Sequence, residues 1–349
     1  MQNLDEKTWS AVELDSMADV SSGRDIYAQE RIEGKMPYVT AGTANNGIGY
    51  FVGNSNDSMD KNIISVNRNG AVGEAFFHPY KALFGNDCRR VVLRKTKNAN
   101  AQIFIARSIS CQKAAFSYSR KLGTARLKRL HFMLPVTHEG EPDYEYMAEY
   151  MQQKREVMLS KYHAYVEKRI AELGSPVEIP TLNEKEWREF PLDDVFTVSA
   201  GKRLETRNKI PGTCPFIGAT DNGNGVTGFV GNDNASKDSN LLGVNYNGAP
   251  CIAFYHPYKC ILTDDVKRLH LRNYKDNKFV LLFFVAVFAQ QRSKYSYGYK
   301  FKEQRMLRQK LMLPVTDSGE PDYEYMEQYT KNMMIRKYQQ YLAHIKKNR

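Results

Sequence analysis

Gly140-Glu141-Pro142-Asp143-Tyr144-Glu145-Tyr146-Met147 returns, letter for letter, as Gly319-Glu320-Pro321-Asp322-Tyr323-Glu324-Tyr325-Met326. Just upstream, Leu134-Pro135-Val136-Thr137 returns as Leu313-Pro314-Val315-Thr316. Further out, Trp9 returns as Trp187, Gly53-Asn54 as Gly231-Asn232, and Phe77-His78-Pro79-Tyr80-Lys81 as Tyr255-His256-Pro257-Tyr258-Lys259. The spacing is 178 residues for the outer pairs and 179 for the inner ones. A period this long is a duplicated domain, not a solenoid repeat. At 349 residues each copy is long enough to bury its own core.

The repeated octet opens a different kind of sequence. No Gly or Pro interrupts 143–173 or 322–347. Pro142 and Pro321 are placed at the first helical position, with acids in the first turn, where the positive end of the helix dipole favours them. Met147, Met151, Lys154, Met158, Lys161 and Tyr165 step at helical spacing. So do Met326, Tyr329 and Met333, and then Met334, Tyr338, Tyr341 and Ile345. Each helix therefore carries an apolar seam of about 45 Å, and the two seams could pair with one another. Core packing is the simpler use of such a stripe. Gly174-Ser175-Pro176 ends the first helix.

Upstream of each octet the chain is rich in Gly, Asn, Tyr and β-branched residues. Residues 62–66, 90–94 and 241–245 read as strands. Asn69-Gly70 and Asn247-Gly248 read as tight turns between strands, and 101–109 and 277–290 as short helices packed on the sheet. The fold class is α+β: two homologous α/β modules, each followed by a long helix. The expected bounds are module 1–140, helix 141–174, linker 175–186, module 187–319 and helix 320–349.

The net charge of +11 favours a polyanionic partner. No apolar run is long enough to span a membrane; the nearest is 279–289. The N-terminus lacks signal-peptide character. Cys88, Cys111, Cys214, Cys251 and Cys260 form no CxxC and do not recur between copies. They read as reduced thiols of a cytoplasmic protein, not a zinc site or disulfide frame.

Module, helix, module, helix resembles the layout of the S (specificity) subunits of Type I restriction–modification systems and the related Type IIB subunits. The resemblance covers nearly the whole chain. It rests most specifically on Phe132–Met147 and Leu311–Met326, and also on Trp9…Leu14…Val20 with Trp187…Leu192…Val198. It implies two target-recognition domains, each gripping one half-site of double-stranded DNA. The helices would pair antiparallel, with pseudo-two-fold symmetry, as a coiled-coil spacer. It implies DNA adenine methyltransferase subunits docked on the helices and, in a complete system, a motor-nuclease subunit. No cofactor is expected on this chain; S-adenosylmethionine, ATP and Mg belong to partners.

Sequence-specific binding needs cations for phosphates and two-point hydrogen bonders for base edges. The candidates in the first copy are Arg24, Asn45, Asn46, Arg68, Asn69, Tyr118, Arg120 and Lys121. In the second they are Lys202, Arg203, Asn222, Asn224, Tyr246, Asn247, Tyr297, Tyr299 and Lys300. Asn-Gly is first of all a turn former, so each asparagine has a structural use beside a contact one. Arg68 becomes Tyr246, Arg120 becomes Tyr299 and Asn45 becomes Gly223, as expected of two readers of an asymmetric, bipartite target. The candidates for helix pairing and partner docking are Met147, Met151, Met158, Tyr165, Met326, Met333, Tyr338 and Tyr341.

Other chemistry is poorly supported. Gly223–Gly228 matches GxGxxG, but no helix opening follows and the first copy lacks it. There is no P-loop and no Asn-Pro-Pro-Tyr. His78 and His256 bring no second ligand with them. Pro142-Asp143 and Pro321-Asp322 fit helix initiation better than a nuclease motif. The expectation is a non-catalytic specificity subunit. The alternatives are a Type IIB-like subunit with a fused nuclease–methyltransferase partner, a stand-alone nuclease, or a scaffold without DNA contact.

Overall fold

A computed structural model describes residues 3–117, 119–295 and 301–347. The chain divides into two compact units, Met1–Tyr162 and His163–Arg349.

In the first unit, β1 (Trp9–Glu13), α1 (Leu14–Met17) and β2 (Ala18–Ser22) lead into β3 (Glu33–Val39) and β4 (Ile48–Val52). These are followed by β5 (Ile63–Asn67), β6 (Ala75–His78), β7 (Leu83–Phe84) and β8 (Cys88–Leu93). Then come α2 (Ala99–Ser110), α3 (Thr124–Lys128), β9 (His131–Pro135) and the start of α4 (Tyr144–Leu173), whose residues 163–173 belong to the second unit. The main sheet runs β2-β8-β5-β6, all antiparallel. A smaller sheet, β4-β3-β7, carries one parallel pairing, and β1 pairs with β9. Helix α2 is capped by Asn98, whose side chain accepts from the amides of Asn100 and Ala101. Its Ala101, Phe104, Ile105 and Ile109 are buried against Ile64, Val66, Val91 and Leu93 of the main sheet.

The second unit repeats this order. It holds β10 (Trp187–Pro191), α5 (Leu192–Val195), β11 (Phe196–Ala200), β12 (Pro211–Ile217), β13 (Val226–Val230) and β14 (Lys237–Asp238). Next are β15 (Leu241–Asn245), β16 (Ala253–His256), β17 (Cys260–Leu262) and β18 (Val266–Leu271). The chain closes with α6 (Lys278–Gln291), α7 (Glu303–Leu307), β19 (Lys310–Pro314) and α8 (Tyr323–Lys347). The sheets are β11-β18-β15-β16, β13-β12-β17-β14 and β10-β19. The apolar run 279–289 is α6. Its Val280, Leu281, Phe283, Phe284, Val287 and Phe288 are buried, because it lies between the module core and α8.

The same aromatic hub ties each long helix to its own module. Trp9 meets Phe104 at 6.2 Å and Phe104 meets Tyr150 edge-on at 5.9 Å. Trp187–Phe283 and Phe283–Tyr329 repeat this at 6.4 and 5.8 Å. Edge-to-face contacts add to the burial energy of such rings.

The octet differs from the expectation at one point. The helix begins at Tyr144, and Pro142 sits in a bridge with Val136. Asp143 is the cap: its Oδ1 accepts from the Tyr146 amide at 3.0 Å, and its Oδ2 takes the Lys7 ammonium at 2.7 Å. Asp322 does the same with Tyr325 and Lys185. A carboxylate here satisfies an otherwise orphaned helical donor, which proline at the first position would not.

The Asn-Gly turns also differ. Residues 68–74 join β5 to β6 as a longer loop, with the Asn67 amide bonded to the Glu74 carbonyl and the Gly73 amide to that of Asn67. Gly70 and Gly248 have φ of +61° and +62°, and a Cβ there would stand 2.8 and 2.4 Å from the Ala41 and Ala219 oxygens. Only glycine fits this close approach without strain.

The seam residues separate by depth. Met147 and Met326 are fully buried, each in the core of its own module, and Met151 packs at the edge of the first core. Met333 lines a groove with Trp187 and Phe283. Met158 is 70% exposed, and Tyr165 and Tyr341 are half-exposed or nearly so. A seam that starts inside a module serves first to dock the helix on that module. Within the second unit, the 163–173 segment does reach α8. There Tyr338 hydrogen-bonds with Tyr165 and Arg169, and burial pushes its phenol upward. The stretch 175–186 is fastened to α8 as well. The amide and carbonyl of Val177 bond to the Asn332 side chain, and the Tyr325 hydroxyl donates to the Pro180 carbonyl.

Candidate nucleic-acid interface

Three loops converge at one end of the main sheet in each unit. In the first they are the β3–β4 turn, the β5–β6 loop and the segment after α2. Buried Asn67 donates from Nδ2 to the Gly42 carbonyl at 3.0 Å, tying the first two loops together. Gly73 approaches the Lys113 backbone, bringing in the third. Asn245 repeats the tie, to Thr220 at 3.0 Å. A buried amide that must find a partner thus fixes the relative position of surface loops.

The candidates fall into distinct classes around this frame. Asn45, Asn46 and Asn224 are exposed and have φ of 51°, 53° and 54°, while Gly223 has 57°. The change from Asn45 to Gly223 therefore preserves a left-handed turn, which both residue types tolerate. Asn224 donates to the Tyr258 hydroxyl at 3.0 Å and Asn222 to Asp221 at 3.0 Å. Arg68 is held by Asp87 at 2.8 Å, and Asn69 reaches the same carboxylate at 3.5 Å. Asn247 is held by Asp265. Tyr246 packs at the core edge beneath the Lys267 ammonium, 5.5 Å away, with its phenol hydrogen-bonded to Asp265. Arg68, Asn69 and Asn247 thus have their donors engaged by acids of the same module.

Arg120 is exposed, 5.9 Å from the Phe116 ring, and Lys121 follows it. Arg24, Lys202 and Arg203 are exposed after β2 and β11; Arg24 meets Asp57 at 3.5 Å. Their backbones join the smaller sheet, through Arg24 to Phe84 and Lys202 to Leu262. Tyr118, Tyr297, Tyr299 and Lys300 lie outside the described residues.

Two cations at this site escaped the sequence reading. Lys113 pairs with Glu74, and Arg292 with Asp221 at 3.6 Å. Both follow the module helix, 179 positions apart, so the duplication itself was the signal. Arg31 was also missed; its guanidinium stacks 3.6 Å from the Tyr50 ring in a cleft with Asp87.

Gly223–Gly225 forms a turn leading into strand β13, not a helix, so the GxGxxG match has no phosphate-binding context. His78 and His256 are buried, and burial lowers each imidazole to about 4. His78 shares a hydrogen bond with Ser65 at 2.8 Å. Among the described residues, no cluster of three His, Cys, Asp or Glu could hold a metal ion, and no helix is long and apolar enough to cross a membrane.

The family model of the Type I restriction modification DNA specificity domain matches residues 6–162 and 184–346. The chain is 36% identical over 328 residues to the specificity subunit S.BcgI of the Type II restriction enzyme BgcI from Heyndrickxia coagulans, covering 93% of this chain and 94% of that one. Its fold is similar to the crystal structure of a Type I restriction–modification S subunit from M. genitalium. That match has a TM-score of 0.51 at 17% identity and covers 100% of this chain and 94% of that one. The chain belongs to the restriction–modification specificity subunits, and it carries the Type I DNA specificity domain twice.

Proposed function

We propose that this chain selects DNA sequence for a restriction–modification complex in the cytoplasm and performs no chemistry itself. The modules of residues 1–140 and 187–319 each read one half of a bipartite, asymmetric duplex target. The two long helices pair as the spacer that sets the gap. DNA adenine methyltransferase subunits, and a motor-nuclease subunit, act where the chain places them. S-adenosylmethionine, ATP and Mg would be held by those partners. One observation carries this: both modules build the same three-loop end on a shared frame, yet present different side chains there, Arg68 against Tyr246 and Lys113–Glu74 against Arg292–Asp221. A common frame with divergent tips is what two readers of unequal half-sites require. Mapping methylated adenines genome-wide, with and without the gene, tests it. The expected result is loss of methylation at one motif with two unequal halves and a fixed gap. Two identical halves, or unchanged methylation, would overturn it.

A second arrangement of partners is favoured by the near full-length likeness to a Type II specificity subunit. In it a single companion both cuts and methylates. Affinity purification of the chain from its host separates the two: one companion carrying both activities, or separate methyltransferase and nuclease subunits.

A further inference from the structure

The second module holds a cleft of about 470 Å³ at its three-loop end. Thr220 and Asp221 come from the β12–β13 turn, Gly248, Ala249 and Pro250 from the β15–β16 loop, and Arg292 and Tyr295 from the segment after α6. Asp221 and Arg292 face each other across it at 3.6 Å, with 48% and 53% of their side chains exposed. The Asn222 side chain donates from Nδ2 to the other oxygen of Asp221 and steadies the carboxylate.

We propose that Asp221 and Arg292 are a base-reading pair and that this cleft takes a G·C base pair in the major groove. The proposal rests on the chain being a DNA-specificity subunit. Three observations carry it. First, the pair is loose and wet, so exchanging it for DNA contacts costs little. Arg268–Asp238 in the same module, at 3.0 Å and with 15% and 24% exposed, belongs to the frame instead. Second, a carboxylate here would repel a phosphate. An ionised carboxylate only accepts hydrogen bonds, and guanidinium only donates. In the major groove, guanine offers two adjacent acceptors and cytosine the neighbouring amino donor, which complements an Arg beside an Asp. Third, the pair has been rebuilt between copies. Lys113 keeps the cation of Arg292, but its acid is Glu74, on a different loop; Ile252 stands where Glu74 would be, and Thr43 where Asp221 would be. A structural ion pair has no need to move its acid from loop to loop, whereas a reader of a different half-site does.

The test uses the full-length chain, affinity-tagged and purified from its host with whatever subunits accompany it. It selects from a duplex library with a randomised core, as wild type, D221N, R292Q and R292K. Wild type should recover a bipartite consensus with a G·C pair in one half, and changing that pair should weaken binding roughly ten- to hundred-fold. D221N and R292Q should lose this discrimination at that one position, with the rest of the consensus intact. R292K keeps the charge but not the two-point geometry. It should lose the preference while its affinity for random duplex is unchanged. Variants that keep wild-type discrimination throughout, that weaken on all sequences alike, or that relax an A·T position overturn the assignment of this cleft. A wild-type complex that recovers no consensus overturns the specificity reading itself, and the cleft with it.

Discussion

Replacing Asp143 separates the two jobs its carboxylate performs. Asp143→Ala removes the cap on the Tyr146 amide and the ion pair with Lys7 together. Losing an N-cap costs about 1 kcal/mol. The 2.7 Å ion pair, with 17% of each side chain exposed, adds up to about 1 kcal/mol. The sum of about 2 kcal/mol lowers the melting temperature of a unit this size by about 4–8 °C. Asp143→Asn keeps a good cap and loses only the charge, so its cost should be half that or less. Burial of this carboxyl would raise its titration point, but the hydrogen bonds from Lys7 and the Tyr146 amide outweigh it and hold it below the usual range. Its contribution is therefore complete above about pH 4 and is lost as pH falls through the lower folded-state value. Melts of the full chain at pH 7 should show the two-step ordering. Because two units need not unfold together, hydrogen exchange at the Tyr146 amide assigns the loss to the first. Equal destabilisation by Ala and Asn would refute the capping argument.

Three further outcomes follow from the packing. Met147→Ala should cost about 2–5 kcal/mol in urea unfolding, whereas Met158→Ala should stay within about 0.5 kcal/mol, because one is buried in a core and the other 70% exposed. Gly248→Ala forces a Cβ to 2.4 Å from the Ala219 carbonyl at positive φ, and should destabilise the second unit by roughly 1–3 kcal/mol in a thermal melt; an unchanged melt would sink that account. His78 and His256 are buried neutral, near 4 against 6.5 unfolded, so the unfolded chain binds the extra protons between those values. Stability should be full above pH 6.5 and fall by about 2 kcal/mol per histidine at pH 5; a flat urea midpoint over that range would contradict it.

Much of this architecture was legible because it is local. Asn98 and Asn277 cap helices, a Gly- and Pro-free run continues one, and Gly174, with φ of +79°, stops it. The duplication made the caps and the uninterrupted runs appear twice. Reading the octet as proline at the first helical position failed by two residues, because the choice depended on Lys7 and Lys185, far away in sequence. The helical stripe was visible, but not its partition: Met147 goes to the module and Met158 to solvent.

The candidate interface divides in the same way. Loop segments rich in Asn, Arg and Tyr were apparent from residue type alone. Which of their groups are engaged was not, since Asp87 and Asp265 reach Arg68, Asn69 and Asn247 from another strand connection. Nor did residue type single out Lys113 and Arg292, which lie just past the ends of the two short module helices and become part of the site only where the sheet brings those ends beside the turns. By itself the sequence determined the twofold repeat, the elements and the family resemblance, because these depend on spacing along the chain. The tertiary structure alone decided which carboxylate meets which cation across the loops, since that pairing depends on distances through space that no spacing encodes.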